Sequence, residues 1–341
     1  MTENASQSSH IRFVGAFAGI GSGLTKVTAV SQLSSEIRSH VRFLSRLLWG
    51  HGSVGFDTVK TRMQCSAPGT YRGAFDVFRQ TIRNEGILAI YKGATPPAVM
   101  WAAIDSVLLG SLHNYRLFLF RNGMTEVNPA TQLPRLTITA HGLAGLLAGW
   151  TSTVLATPME LLKVKLQLQM QRNASDRQFR GTIDCARKIV RTQGIFGLYS
   201  GFTGTVVCRT NFCWLFLSFE VFMRGFTKLQ GTAYEIATGP ANFLAGGLSS
   251  FAFWIMAIPA DNVKNRMMAY PYPKPYPTAS DVWMKRPSFL FVAKNILASE
   301  GYRGFFRGLG PCLLRSFPVN ASALFVYESL LRAFGAEKTR Q

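Results

Sequence analysis

Apolar and polar residues fall along this chain in long alternating blocks. Apolar stretches cover roughly 11–30, 94–120, 138–157, 202–226, 240–258 and 309–334. Each holds about 20 residues, enough for a helix to cross a hydrocarbon core. Between members of successive pairs run amphipathic segments at 74–86, 182–194 and 288–301, each ending in Gly, a natural helix stop. Closely spaced small residues, as in AGIGSG (18–23) and AGLLAG (144–149), let helix backbones approach one another in lipid. The pattern predicts six spans in three hairpins, with a short surface helix inside each hairpin.

The blocks repeat in detail. TPMELLKVKLQ places Pro158, Glu160, Lys163 and Lys165 at the same offsets as Pro259, Asp261, Lys264 and Arg266 in IPADNVKNRM, 101 residues on. GFDTVKTRMQ carries Asp57, Lys60 and Arg62 at those offsets, 103 residues before the second copy, with Gly55 where Pro is expected. A second pattern trails each motif. NEGILAIYKG contains Glu85, Gly86, Tyr91, Lys92 and Gly93, and SEGYRGFFRG contains Glu300, Gly301, Phe306, Arg307 and Gly308. The middle copy, TQGIFGLYSG, has Gln193 and Ser200 in place of the charged residues. Two independent patterns recurring three times in one order mark an internal repeat of about 100 residues.

Composition agrees with a membrane chain. Of 341 residues, 48% are hydrophobic and 16% charged, where a soluble protein carries about 25% charged residues. The formal net charge of +20 would fit nucleic acid or an anionic surface. The Lys and Arg lie between apolar stretches, so they read as loop charges beside an anionic membrane or as lining for an anion path. Nucleic acid is not expected as a partner. Cys65, Cys185, Cys208, Cys213 and Cys312 form no paired or metal-binding spacing, and the five histidines do not cluster. The opening residues 1–10 are polar and show no cleavable signal. No nucleophile elbow, P-loop or zinc-protease motif occurs. The expectation is a chain without cofactor, metal or enzymatic activity.

The motif has a physical reading. A Pro near the end of a spanning helix removes one backbone hydrogen bond and kinks it, so Pro158 and Pro259 are expected kinks. The acid and base beyond it then project from a bent helix end. With three such helices about one axis, each acid can meet the base of the next, closing one end of a central path with a ring of charge pairs. Such charges within lipid are costly unless paired or facing water.

With these motifs the chain resembles the mitochondrial carrier family over about residues 11–335. The resemblance implies an all-α membrane fold of six tilted helices in three pseudo-symmetric repeats, a central cavity, and alternating access between two salt-bridge networks. It implies a matrix-side ring of Asp57, Lys60, Glu160, Lys163, Asp261 and Lys264, braced by Gln64 and Gln167, with Met268 at the third brace position. It also implies a multi-pass monomer in the mitochondrial inner membrane, in contact with its lipids, cardiolipin among them. The units are then a polar tail at 1–10, repeats at 11–124, 135–229 and 238–335, and a polar tail at 336–341. The family's outer network places an acid after an aromatic residue and a base three positions on. Here FEVFMR (219–224) and YESLLR (327–332) carry the base one residue late, and SLHNYR (111–116) has no acid. The outer network therefore looks differently built.

The first repeat departs from the others. Gly145 and Gly246 precede the motif Pro by 13 residues, whereas Gly19 precedes Gly55 by 36. Residues from about 29 to 53 match nothing in the other repeats. They read as a matrix-side insertion, or as retained intron or alternatively spliced sequence. The second reading is favoured because a motif residue is displaced. On it the ring fails to close normally, and the product is a transport-incompetent variant.

Substrate chemistry is expected from polar residues within the spans, where an ionisable side chain is a functional candidate by default. The candidates are Trp101 and Asp105, Arg209 and Thr210, Arg315, and Lys26 in the first span. Two arginines facing one cavity would bind carboxylate through charge-assisted hydrogen bonds. His141 and Trp150 read as packing residues. The run RSFPVNASALFVYE (315–328) is similar to the carnitine/acylcarnitine and ornithine branch of the family, while Arg209 followed by Thr210 fits keto acids or carboxylates. The expected cargo is a small carboxylate, a di- or tricarboxylate such as citrate or a keto acid. The alternative is carnitine, acylcarnitine or a basic amino acid, with Asp105 meeting the cationic group.

Overall fold

The computed structural model describes residues 52–66, 69–86, 97–128, 132–169, 178–229, 231–232, 234–270, 287–317, 319 and 321. Lys26, most of the 29–53 segment, the first predicted span, YESLLR (327–332) and both predicted tails lie outside them.

Helices dominate. α1 spans Gly52–Cys65, α2 Ala74–Glu85 and α3 Pro97–Arg121. A hairpin follows, β1 Thr125–Val127 against β2 Pro134–Leu136, antiparallel with Glu126 opposite Arg135. Then come α4 Ile138–Gln167, α5 Thr182–Gln193, α6 Phe202–Thr210, α7 Phe212–Thr227, α8 Thr238–Ala269 and α9 Phe289–Glu300, with a last helical run at 309–317.

The repeat is visible in the short helices. α2, α5 and α9 each span 12 residues and stop at Gly86, Gly194 and Gly301. All three glycines have positive φ, which a side chain would disfavour. One-turn 3-10 segments, Ile195–Tyr199 and Tyr302–Phe306, follow the second and third.

The fold is all-α apart from the three-residue strands of the hairpin in the α3–α4 link. The second even span falls in two helical pieces. It breaks at Asn211, whose side-chain amide donates to the carbonyls of Val207 and Cys208 and so competes with the helical ladder. Pro158 and Pro259 lie inside continuous helices.

Among the described residues, two runs are long and apolar enough to cross a membrane, Ile195–Thr227 and Gly239–Ala269. Close contact holds the second repeat together. A Cβ on Gly149 of α4 would sit 2.5 Å from the Arg209 carbonyl oxygen of α6, and one on Gly145 would sit 2.6 Å from the Phe216 ring of α7. The largest buried apolar cluster joins α3, α4, α7 and α8, with Leu112, Leu136, Ala144, Phe216 and Phe219 almost without exposure. This packing brings the C-terminal parts of α4 and α8 together beside α1.

Candidate functional site

Asp57 and Lys60 stand one helical turn apart on α1, as do Glu160 and Lys163 on α4 and Asp261 and Lys264 on α8. Lys163 Nζ lies 2.5 Å from Asp57 Oδ2, Lys264 Nζ 2.8 Å from Glu160 Oε2, and Lys60 Nζ 2.7 Å from Asp261 Oδ2. The acid of each repeat meets the base of the next, and the third returns to the first. The expected failure of the ring to close is therefore overturned. α1 is already helical at Gly52, so Asp57 and Lys60 keep the one-turn register of the other copies, and the departure lies upstream.

None of these six side chains is more than 18% exposed. Charges this enclosed persist only when paired and hydrogen-bonded. Lys264 adds a bond of 2.9 Å to Asp261 Oδ1. Lys60 also sits over the Trp254 ring, 4.3 Å from its centroid, a cation–π contact.

Two arginines join the ring from neighbouring helices. Arg209 Nη2 donates to Glu160 Oε1 at 2.9 Å and its Nη1 to Ser152 Oγ at 2.8 Å. Its Nε–H is buried with no hydrogen-bond partner among the described residues. Arg315 Nε lies 3.0 Å from Asp57 Oδ1. Among the described residues, three carboxylates (Asp57, Glu160, Asp261) thus meet five cations (Lys60, Lys163, Lys264, Arg209, Arg315), an excess of two positive charges.

A second tier of cyclic contacts lies beyond the first. Arg62 Nε donates to the Gln167 carbonyl at 3.3 Å, Lys165 Nζ to the Tyr270 carbonyl at 2.6 Å, and Arg266 Nε to the Gln64 carbonyl at 2.8 Å. Each last base of the motif caps the helix end of another repeat, where free carbonyls favour a cation. Gln64 donates to Asp261 Oδ2 at 3.1 Å and accepts from Asn265 at 2.5 Å, while Gln167 accepts from Thr61 at 2.8 Å. Met268 is fully buried against Gly201.

The other candidates are placed differently. Asp105 is buried on α3, a helix that supplies none of the ring's six charges. Thr210 accepts from Trp150 Nε1 at 3.0 Å and donates to the Val206 carbonyl, so its hydroxyl faces another way from Arg209. Trp101 belongs to α3, and its side chain lies outside the described residues. Ser152 and Trp254 do not stand out in the sequence. Each lies about two turns before a ring acid, and that spacing is the available signal.

Comparison with known proteins accounts for the threefold pattern. The family described as mitochondrial carrier protein matches residues 53–123, 134–230 and 237–338. Similar proteins include the mitochondrial basic amino acids transporter of Bos taurus, 32% identical over 84% of this chain and 88% of that protein. The mitochondrial carnitine/acylcarnitine carrier protein of Homo sapiens is 28% identical over 81% of this chain and 87% of its own. Mitochondrial substrate carrier family protein L of Dictyostelium discoideum is 30% identical over 82% and 89%. With its three matched units and the closed ring of cross-repeat ion pairs, the chain belongs to the mitochondrial carrier family of transporters.

Proposed function

We propose that this protein carries a small dicarboxylate, such as a dicarboxylic keto acid, across the mitochondrial inner membrane. It does so by exchange through a central cavity reached from one side at a time. The single observation behind this reading is the excess of two positive charges among the described residues of the ring. An unmatched cation in an enclosed site is costly, and a dianion supplies the missing charge. Arg209 and Arg315 are the natural ligands, because each has a planar fork suited to carboxylate. The orphan Nε–H of Arg209 adds a buried donor still to be satisfied. The ring serves as the gate on the matrix side, and six spans form the barrel around it.

Membrane lipids are the further partners in this reading. α2, α5 and α9 expose Phe75, Ile183 and Leu290, each at least 70% open. Surface helices of this kind lie in the interfacial plane, apolar face in lipid. Anionic lipid such as cardiolipin suits the basic residues beside them, and the protein works as a monomer.

A second reading takes carnitine or a basic amino acid as cargo. It is favoured by the names of two relatives and by the buried Asp105. Reconstituted liposomes separate the two. Uptake of 2-oxoglutarate above citrate, ornithine and carnitine, lost in Arg209→Ala and Arg315→Ala, supports the dicarboxylate. Preference for ornithine or carnitine, lost in Asp105→Asn, overturns it. No uptake of any of the four supports a transport-incompetent variant.

A further inference from the structure

Gln64 stands seven residues after Asp57, and Gln167 seven after Glu160. In two of the copies, the residue four after the acid bonds a glutamine of the following repeat. Thr61 Oγ1 donates to Gln167 Oε1 at 2.8 Å, and Asn265 Nδ2 donates to Gln64 Oε1 at 2.5 Å. Both bonds run in the same cyclic direction, first repeat to second and third to first. The remaining seam has Val164 and Met268 at these two positions. Both are buried in one apolar cluster. Donor and acceptor are thus present together at two seams and replaced together by apolar residues at the other.

Asn265 does more than Thr61. Its Nδ2 also lies 3.2 Å from Asp261 Oδ2, the oxygen that Gln64 Nε2 and Lys60 Nζ approach at 3.1 and 2.7 Å. An ionised carboxylate only accepts, so both amides turn their NH2 groups to Asp261. Gln64 then presents its oxygen to a donor, and the second N–H of Asn265 is that donor. Gln64 has no exposure and Asn265 has 5%, so bulk water does not replace the bond.

We propose that Asn265 is a positioning residue of the gate: acting through Gln64, it selects the amide orientation that donates to Asp261 and so favours the ring-closed state. This rests on the reading of the ring as a gate that opens and closes during transport. Without Asn265, Gln64 Oε1 loses its donor, and a turn of the amide sets that oxygen against the Asp261 carboxylate. Either outcome weakens the closed ring. Contacts made in one state and lost in the other shift their equilibrium by the difference in free energy.

The test reads ring opening without a cargo. Cys208 is buried, with its Sγ 3.9 Å from Asp261 Oδ1, so opening the ring there uncovers it. The parent is a full-length chain keeping Cys208 as its one cysteine, with Cys65→Ser to keep a donor at the Asn265 carbonyl. In it, Asn265→Ala should raise the rate of maleimide labelling roughly fivefold. Asn265→Thr, which supplies the hydroxyl found at position 61, should restore most of the protection. In a chain that also carries Gln64→Ala, Asn265→Ala should add less than about twofold. A matching chain keeping only Cys213 should label at an unchanged rate. Equal Cys208 rates with and without Asn265 would overturn the inference. So would a full effect in the absence of Gln64, or an equal rise at Cys213, which signals general loosening. Faster Cys208 labelling with no uptake of any tested solute would sink the cargo reading and leave the role of Asn265 standing. Dicarboxylate uptake with unmoved labelling would do the reverse.

Discussion

Arg62 of α1 holds Glu85 of α2 through two nitrogens, at 2.5 and 3.0 Å, with 1% and 4% of their side chains exposed. The third repeat has a counterpart in Arg266–Glu300 at 2.7 Å, where Arg307 adds a bond of 2.9 Å. In the second repeat Gln193 takes the acid's place in the trailing pattern, and Lys165 reaches the end of α8 instead. Among the described residues, the pairing of spanning helix with surface helix is thus ionic in the first and third repeats, whereas the second has Gln193 at the acid's place.

Truncating the acid should expose that difference. Glu85→Ala leaves a guanidinium buried without its carboxylate and should destabilise the protein by about 3 kcal/mol. Gln193→Ala should change stability by less than about 1 kcal/mol. Thermal unfolding in lipid-supplemented detergent compares them, and equal losses would count against a special role for the ion pair.

Close packing of α4 on α6 gives a second test. Gly149→Ala puts a methyl 2.5 Å from a backbone oxygen and should cost about 1–3 kcal/mol. It should also lower uptake, because the displaced backbone carries Arg209. A methyl on Gly225 of α7 would meet nothing within 4 Å. Gly225→Ala should stabilise the helix by about 0.5–1 kcal/mol.

The placement of Thr210 and Ser152 predicts opposite kinetics. Ser152→Ala removes the acceptor at Arg209 Nη1 and should raise the KM for a dicarboxylate several-fold, on the order of 1 kcal/mol. Thr210→Val leaves Arg209 untouched and should leave KM unchanged. A rise in KM for Thr210→Val alone would place the substrate on its hydroxyl.

Proton linkage is readable on α5, outside the spans. Hydrogen bonding from the Arg180 backbone N–H, then from Lys188, holds the Asp184 carboxyl below its ordinary 3.8. The depressed value means that its contribution is complete above 3.8 and fades as pH falls through the folded value. Asp184→Asn should therefore narrow the gap in Tm from the unsubstituted protein as the solution is acidified. On the same helix, burial pushes the Cys185 thiol up to about 12, so at pH 8 it should resist maleimide until the protein is denatured.

Much of this was legible in the sequence because ion-pair order follows from spacing. Three copies of an acid and a base one turn apart, spread about an axis, can pair cyclically in two directions, and Asp57, Glu160 and Asp261 each take the base of the following repeat. The Gly stops of α2, α5 and α9 were equally plain. What escaped were contacts set by reach and not by period. Helical spacing places Arg209 and Arg315 in the spans but does not say that Glu160 and Asp57 stand within 3 Å of them. Nor do three-residue strands leave an alternating signature, so the hairpin and its Glu126 went unseen. The closure of the ring despite Gly55 was missed because register, and not the proline, sets where Asp57 projects.

The pair Asp261–Lys60 joins residues 201 positions apart in the chain and completes a loop that the backbone leaves open. Every repeat is then an inner one, flanked by two others through charge although the chain has two ends. A nascent chain that has made two repeats can form only Asp57–Lys163. The third repeat adds the remaining two pairs together, so assembly of the ring is all-or-none with respect to synthesis of α8.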